Sequence, residues 1–250
     1  MIIGAQLYTL REYTKTLDDF AETLKKVADI GYTTVQVSGT VDYEPQWLKE
    51  QLERNGLSCV LTHIKPERLL DNPAQVAKDH DVFFCEYVGL GSVPGGLNDV
   101  NDYNKFREDF LPVARALREN QKLFMFHNHD AEFAKSADGR VFFEHMLKDF
   151  TPDEMGITLD TYCVQAAGGD PIWWLEQLKG RVPCVHLKDM IFNKGIKMAP
   201  VFEGNMNFEG ILAACYEADT KYVLVEQDDT YGEDPFECMK RSYHNIKSRL

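Results

Sequence analysis

The chain is short of positive charge. Its 250 residues hold 27 lysines and arginines against 40 aspartates and glutamates, a formal net charge of −13. So acidic a surface repels phosphate backbones and anionic membranes, so neither nucleic acid nor membrane is an expected partner. No apolar run approaches the ~18 residues that a membrane span needs. The opening stretch from Met1 to Lys15 has no basic segment ahead of an apolar one, and no signal peptide is expected. Six cysteines, Cys59, Cys85, Cys163, Cys184, Cys215 and Cys238, are scattered, with no pair at zinc-ribbon or redox-motif spacing. Cys59, Cys163 and Cys184 lie in or beside apolar runs, which predicts reduced core thiols and a cytoplasmic location. The Gly-x-Gly-x-x-Gly turn of a dinucleotide fold is missing after the first strand, which counts against a doubly wound open sheet. The glycine-rich stretch from Gly91 to Gly96 lacks the Gly-Lys-Ser/Thr ending of a phosphate loop.

What is present is an alternation of short apolar runs with longer amphipathic stretches. Strands are predicted at 2–8, 34–38, 57–63, 86–90, 122–127, 155–160, 183–187 and 222–226. Leu17, Phe20, Ala21, Leu24, Val27 and Ala28 have helix-face spacing, and Gly31 closes that helix as a C-cap. Further helices are predicted from Pro45 to Gly56 and at 73–84, 102–120, 141–149 and 208–218. Asp170-Pro171 and Asp234-Pro235 are cap-plus-first-turn signatures for two more. Near-continuous apolar strands separated by helices imply a parallel sheet buried on both faces. Eight such units, without a linker or composition break, predict an α/β fold of one domain over 1–250, a (β/α)8 TIM barrel.

The strands change character at their C-terminal ends. Side chains alternate with period two along a strand. Met125, His127 and His129 share one parity, as do Thr158 and Asp160, Cys184, His186 and Lys188, and Leu224, Glu226 and Asp228. The third strand ends on His63 and the first carries Gln6. In a barrel these ends converge on one mouth, where active sites sit. Asp160, His186 and Glu226, from three consecutive strands, make a carboxylate and imidazole set suited to one divalent metal ion, Mn, Zn, Co, Fe or Mg. Without a cation, facing carboxylates in a low-dielectric mouth repel each other. The run His127-Asn128-His129 superficially matches a His-Asn-His nuclease motif. That motif needs a small ββα-metal unit, however, and the net charge opposes nucleic acid. Of Trp173 and Trp174, one is expected in the core and the other at the mouth or an interface.

Seven segments together resemble the xylose isomerase-like barrel superfamily of sugar phosphate isomerases and epimerases. They are Gly4 to Arg11, Tyr87 to Ser92, His127-Asn128-His129-Asp130, Leu159-Asp160-Thr161-Tyr162, His186-Leu187-Lys188-Asp189, Glu203-Gly204-Asn205 and Val225-Glu226-Gln227-Asp228. The resemblance implies metal ligands Glu, Asp, His and Glu from strands five to eight. The last three fall on Asp160, His186 and Glu226. The first falls on His127, so either His127 is the fourth ligand or Glu132 reaches back from the loop. The implied activity is isomerisation or epimerisation of a sugar or sugar-like polyol by proton abstraction next to a carbonyl, through an enediolate. The same chemistry with a departing group makes a lyase or dehydratase of a keto-sugar, keto-glycoside or inosose. A non-catalytic sugar-binding barrel is a third outcome, and the oligomeric state is open, a homo-oligomer included. Glu226 or Glu132 is the expected base, Lys188 the source of positive charge or of a proton, and Gln6, His63 and His129 the groups that orient hydroxyls.

Overall fold

Eight short apolar runs hydrogen-bond side by side, all parallel, in the computed structural model, which describes all 250 residues. In chain order the strands are β1 (Ile2–Gln6), β2 (Thr34–Val37), β3 (Ser58–His63), β4 (Tyr87–Leu90), β5 (Leu123–His127), β6 (Met155–Asp160), β7 (Cys184–Leu187), β8 (Asp189–Phe192), β9 (Ile196–Ala199) and β10 (Tyr222–Val225). The barrel closes in the order β1-β10-β7-β6-β5-β4-β3-β2, while β8 and β9 pair as a separate antiparallel hairpin. Closure leaves the barrel without a free strand edge. No helix is long and apolar enough to cross a membrane.

The helices are α1 (Leu17–Ile30), α2 (Pro45–Asn55), α3 (Pro66–Asp71), α4 (Pro73–Val82), α5 (Val100–Glu119), α6 (Phe142–Asp149), α7 (Thr161–Ala166), α8 (Pro171–Gln177), α9 (Phe208–Glu217) and α10 (Pro235–Lys247). Their ends follow local chemistry. Thr16 accepts the Asp19 N–H at the start of α1, and Gly31 ends it with φ at 119°. Asp170 and Asp234 cap α8 and α10, each followed by proline in the first turn. A cluster of 57 buried residues packs the helices against the outside of the barrel. Val60, Leu61, Tyr87, Met125, Cys184 and Leu224, all on strands, form a second cluster in the lumen. All six cysteines are buried and free, as expected of core thiols. Trp174 is buried against Phe133 and Phe143, while Trp173 is 47% exposed.

Four short features depart from the sequence expectation. Strand β1 stops at Gln6, because the Gln6 side-chain oxygen accepts the Tyr8 N–H at 3.1 Å and starts a 3-10 helix over Leu7–Tyr13. Helix α3 precedes α4, with only Asn72 between them. Asp160 ends β6 and also caps α7, through the Cys163 N–H. The β8–β9 hairpin is inserted after β7. Each of these is too short to stand by periodicity alone.

On the lumen face, two residues further along each strand from the apolar plug, the side chains become polar. Gln6 pairs in register with Gln36, and Asp160 with His186. His63 lies beside Gly89, where a Cβ would strike both the Thr62 carbonyl and the His63 ring. Glycine is therefore what lets the His63 imidazole fit. Gly89→Ala is expected to lower unfolding stability by about 1–3 kcal/mol through overpacking. Urea denaturation measures it, and an unchanged midpoint would disprove the close approach.

Candidate metal centre and substrate cavity

The C-terminal ends of the barrel strands open on a cavity of about 390 Å³. That is room for a small ligand. Its wall includes Ser38, His63, His127, His129, Lys188, Glu226 and Asp228. His127, Asp160, His186 and Glu226 are all buried, and each offers a donor atom within 4.8 Å of the others. Asp160 is held twice: its N–H goes to the Asn128 side chain at 3.0 Å and its Oδ1 accepts the Cys163 N–H at 2.8 Å. The His186 Nε2 lies 2.6 Å from Gln36 Oε1, so Nδ1 is the nitrogen left facing the cluster.

These residues fit a divalent cation. His127 Nδ1 and His186 Nδ1 are buried and have no hydrogen-bond partner. An imidazole nitrogen in that condition loses solvation without return unless something binds it. His186 Nδ1 is 3.0 Å from Glu226 Oε2 without the alignment of a hydrogen bond. Two ligands of one ion, each at about 2.1 Å from it, stand roughly this far apart. Mixed imidazole and carboxylate donors suit Mn, Zn, Co or Fe better than Ca.

Charge supports the same reading. Lys188 is buried, with Nζ 3.1 Å from Asp160 Oδ2, 3.2 Å from Glu226 Oε2 and 2.7 Å from Asp228 Oδ2. Three carboxylates face one ammonium, and a divalent cation would balance the excess. Burial works against the charge on Lys188, but Asp160, Glu226 and Asp228 outweigh it and hold its pKa well above the ordinary lysine value. Burial likewise pushes Glu226 up, yet the Lys188 ammonium holds its carboxyl well below the usual range. Asp228 is raised, by burial and then by the Glu226 charge. His127 is depressed well below its usual value and His63 to about 3, chiefly by burial, which favours the neutral ring in both.

The backbone around Lys188 is also fixed. The Thr161 hydroxyl donates to the Lys188 carbonyl at 2.9 Å and accepts the Lys188 N–H at 3.1 Å. Asp189 accepts the Phe202 and Gly204 N–H groups at 3.0 and 2.9 Å, pinning the segment that carries Glu203-Gly204-Asn205. A Cβ on Gly204 would collide with that carboxylate, which accounts for the glycine.

The structure brings together His127, Asp160, His186, Glu226 and Lys188, and puts His63 and His129 on the cavity wall. Two expected residues are elsewhere. Gln6 is fully buried off the wall, its oxygen spent on the Tyr8 N–H. Glu132 is also buried off the wall, and its Oε2 accepts the His129 N–H at 2.7 Å. Between the two candidate fourth donors, the cluster contains His127 and not Glu132. A strand-end residue already points into the mouth, whereas Glu132 is turned back by its own 3-10 turn. His63 reaches the cavity with both nitrogens engaged, Nε2 by Gln36 at 2.8 Å and Nδ1 by Ser38 at 3.1 Å. Gln36 and Ser38 were not singled out from the sequence. Their signal was available, since they share the lumen parity of β2, but no charge marked them.

A family model described as xylose isomerase-like TIM barrel matches residues 24–242. Comparison with curated protein sequences gives no match. Among solved structures, a sugar phosphate isomerase/epimerase from Parabacteroides distasonis superposes with a TM-score of 0.83 at 22% identity, over 98% of this chain and 93% of the other. An L-ribulose 3-epimerase gives 0.78 at 13% identity over 100% and 95%. A probable 3-DHS dehydratase from Bacillus anthracis gives 0.76 at 14% identity over 100% of each chain. At these identities the likeness is one of fold.

Two outcomes test the centre. Mn²⁺ at a hundredfold excess over its Kd is expected to raise unfolding stability by about 2.7 kcal/mol, and His186→Leu to abolish that rise. Lys188→Met is expected to cost about 3–5 kcal/mol in metal-free buffer by leaving buried carboxylates unpaired. Calorimetric unfolding measures both, and a Lys188→Met protein as stable as the parent would show the ammonium is not buried among charges.

Proposed function

The chain belongs to the xylose isomerase-like TIM barrel family, and from that premise we propose that it is a divalent-metal-dependent isomerase or epimerase of a small sugar or sugar-like polyol. The observation that carries this reading is the buried His127, Asp160, His186 and Glu226 cluster opening on the cavity, with Lys188 beside it. When bound there, a divalent cation supplies Lewis-acid stabilisation of the negative charge that builds on a substrate carbonyl oxygen. The protein's own groups do the rest. The Glu226 carboxylate is held ionised by Lys188 and is the base for the hydrogen next to that carbonyl. The buried Lys188 ammonium places fixed positive charge at the reacting end of the cavity. His129 on the wall orients hydroxyls. A positioned base contributes ~10²–10⁴-fold to rate.

One observation favours a second reading. The wall carboxylates, Glu226 and Asp228, both follow β10, and the β3 and β5 sides of the cavity carry His63, His127 and His129 instead. A carboxylate on one side and imidazoles on the other suit removal of one proton followed by loss of a β-oxygen, the work of a lyase or dehydratase on a keto-sugar, keto-glycoside or inosose. The similarity in fold to a dehydratase agrees with this.

Incubation with a panel of ketoses and inososes in D₂O separates the readings. Deuterium at the carbon next to the carbonyl, with all oxygens retained, supports isomerisation or epimerisation; deuterium with loss of an oxygen substituent supports the lyase. Glu226→Gln is expected to lower either rate by at least ~10²-fold. No exchange with any substrate, together with less than one divalent ion per chain after reconstitution, would sink both and leave a sugar-binding barrel.

A further inference from the structure

We propose that Gln36 is a positioning residue that sets which nitrogen of His186 and of His63 carries a proton, and thereby turns the Ser38 hydroxyl into a hydrogen-bond donor toward the cavity. The His186 half of this proposal rests on the metal-centre reading above; the His63 and Ser38 half stands on geometry alone.

Gln36 is fully buried on β2, between the two imidazoles. Its Oε1 is 2.6 Å from His186 Nε2 and its Nε2 is 2.8 Å from His63 Nε2. A carboxamide has a fixed polarity: the oxygen only accepts and the nitrogen only donates. The contact with the oxygen requires a proton on His186 Nε2. In the neutral ring Nδ1 then carries a lone pair, directed at the donor cluster and 3.0 Å from Glu226 Oε2 without a hydrogen bond, a contact that a cation between the two would relieve. The contact with the nitrogen requires a bare His63 Nε2. The single proton of the neutral His63 ring is then on Nδ1, 3.1 Å from Ser38 Oγ, and is donated to it.

The reversed amide would reverse every link. It would put a bare nitrogen at His186 Nε2 and a proton on Nδ1, and a protonated Nδ1 cannot hold a cation. A cation on His186 therefore selects the same amide orientation that makes His63 donate to Ser38. Ser38 is buried and on the cavity wall. Its oxygen is engaged as an acceptor, so its own hydrogen is left to point at a ligand. The wall at β2 would thus recognise an acceptor, a carbonyl or hydroxyl oxygen of the bound polyol.

The test reads protons rather than turnover. Two-bond ¹⁵N–¹H correlation spectra of protein labelled at histidine, taken at neutral pH with and without Zn²⁺, report the protonated nitrogen of each ring; His63→Gln and His186→Gln assign the signals. The parent is expected to show a proton on His63 Nδ1 with bare Nε2, and a proton on His186 Nε2. Gln36→Glu, nearly the same in shape but an acceptor at both oxygens, is expected to keep the His186 pattern and put a proton on His63 Nε2. Gln36→Met is expected to weaken Mn²⁺ binding by about 10–100-fold in titration calorimetry, while Gln36→Glu does not weaken it. A parent His63 protonated at Nε2, or a Gln36→Glu spectrum identical to the parent's, overturns the proposal. If Gln36→Glu does not fold, the parent spectrum decides alone. The expected proton pattern in a protein that binds no divalent ion in titration calorimetry would uphold the relay and refute the metal-dependent reading. A bound ion with the opposite His63 pattern would refute the relay alone.

Discussion

The mouth of this barrel depends on the neutralisation of Lys188. Its ammonium is inside ion-pair distance of Asp160, Glu226 and Asp228, in a place almost closed to water. Burying any one of these charges alone costs several kcal/mol, and only their mutual contact makes the arrangement tolerable. The surroundings reflect that requirement. Thr161 fixes the lysine backbone, Asn128 fixes Asp160, and Asp189 ties down the segment that follows the hairpin. Lys188 also leaves the negative charge incompletely balanced, which is the condition under which a cation-binding cluster is worth retaining in a protein interior.

The barrel converts this local chemistry into a site. Parallel closure puts the C-terminal ends of β5, β6 and β7 and the residue after β10 at one level, so four donors far apart in sequence come within 4.8 Å. The apolar plug of Leu61, Met125, Cys184 and Leu224 beneath them keeps water from entering from below. Low dielectric above that plug strengthens each ion pair and depresses His63 and His127. His127 then changes the balance of the cavity. An imidazole in the place where the family resemblance leads one to expect a carboxylate leaves the acidic groups on one side of the wall. That asymmetry is the physical basis for keeping elimination beside isomerisation.

Polarity, as well as charge, is organised across the lumen. Gln36 contacts two imidazoles with opposite ends of one amide, and His63 passes that polarity on to Ser38. Such a chain has two self-consistent states, and a ligand at either end favours one of them. The packed histidines His63, His127 and His186, with centroids 4.4 to 6.0 Å apart, leave little room for any third arrangement.

The fold and much of the site were legible in the residues themselves. Eight apolar runs, helix-face spacing, the caps at Gly31, Asp170 and Asp234, and the switch to polar residues at strand ends are local patterns, because period and capping act over a few residues. Asp160, His186, Lys188 and Glu226 were picked out by those patterns, as ionisable groups gathered at the ends of consecutive strands. What only the tertiary structure decided concerns contacts between distant segments. The choice of His127 over Glu132 depends on a 3-10 turn that bends the glutamate onto the His129 N–H. The withdrawal of Gln6 depends on the turn it caps. The roles of Gln36 and Ser38 depend on His63 and His186 arriving from other strands. Parity shows which face a side chain takes, but which partner meets it there is settled by closure of the barrel, which joins residues as far apart as 36 and 186.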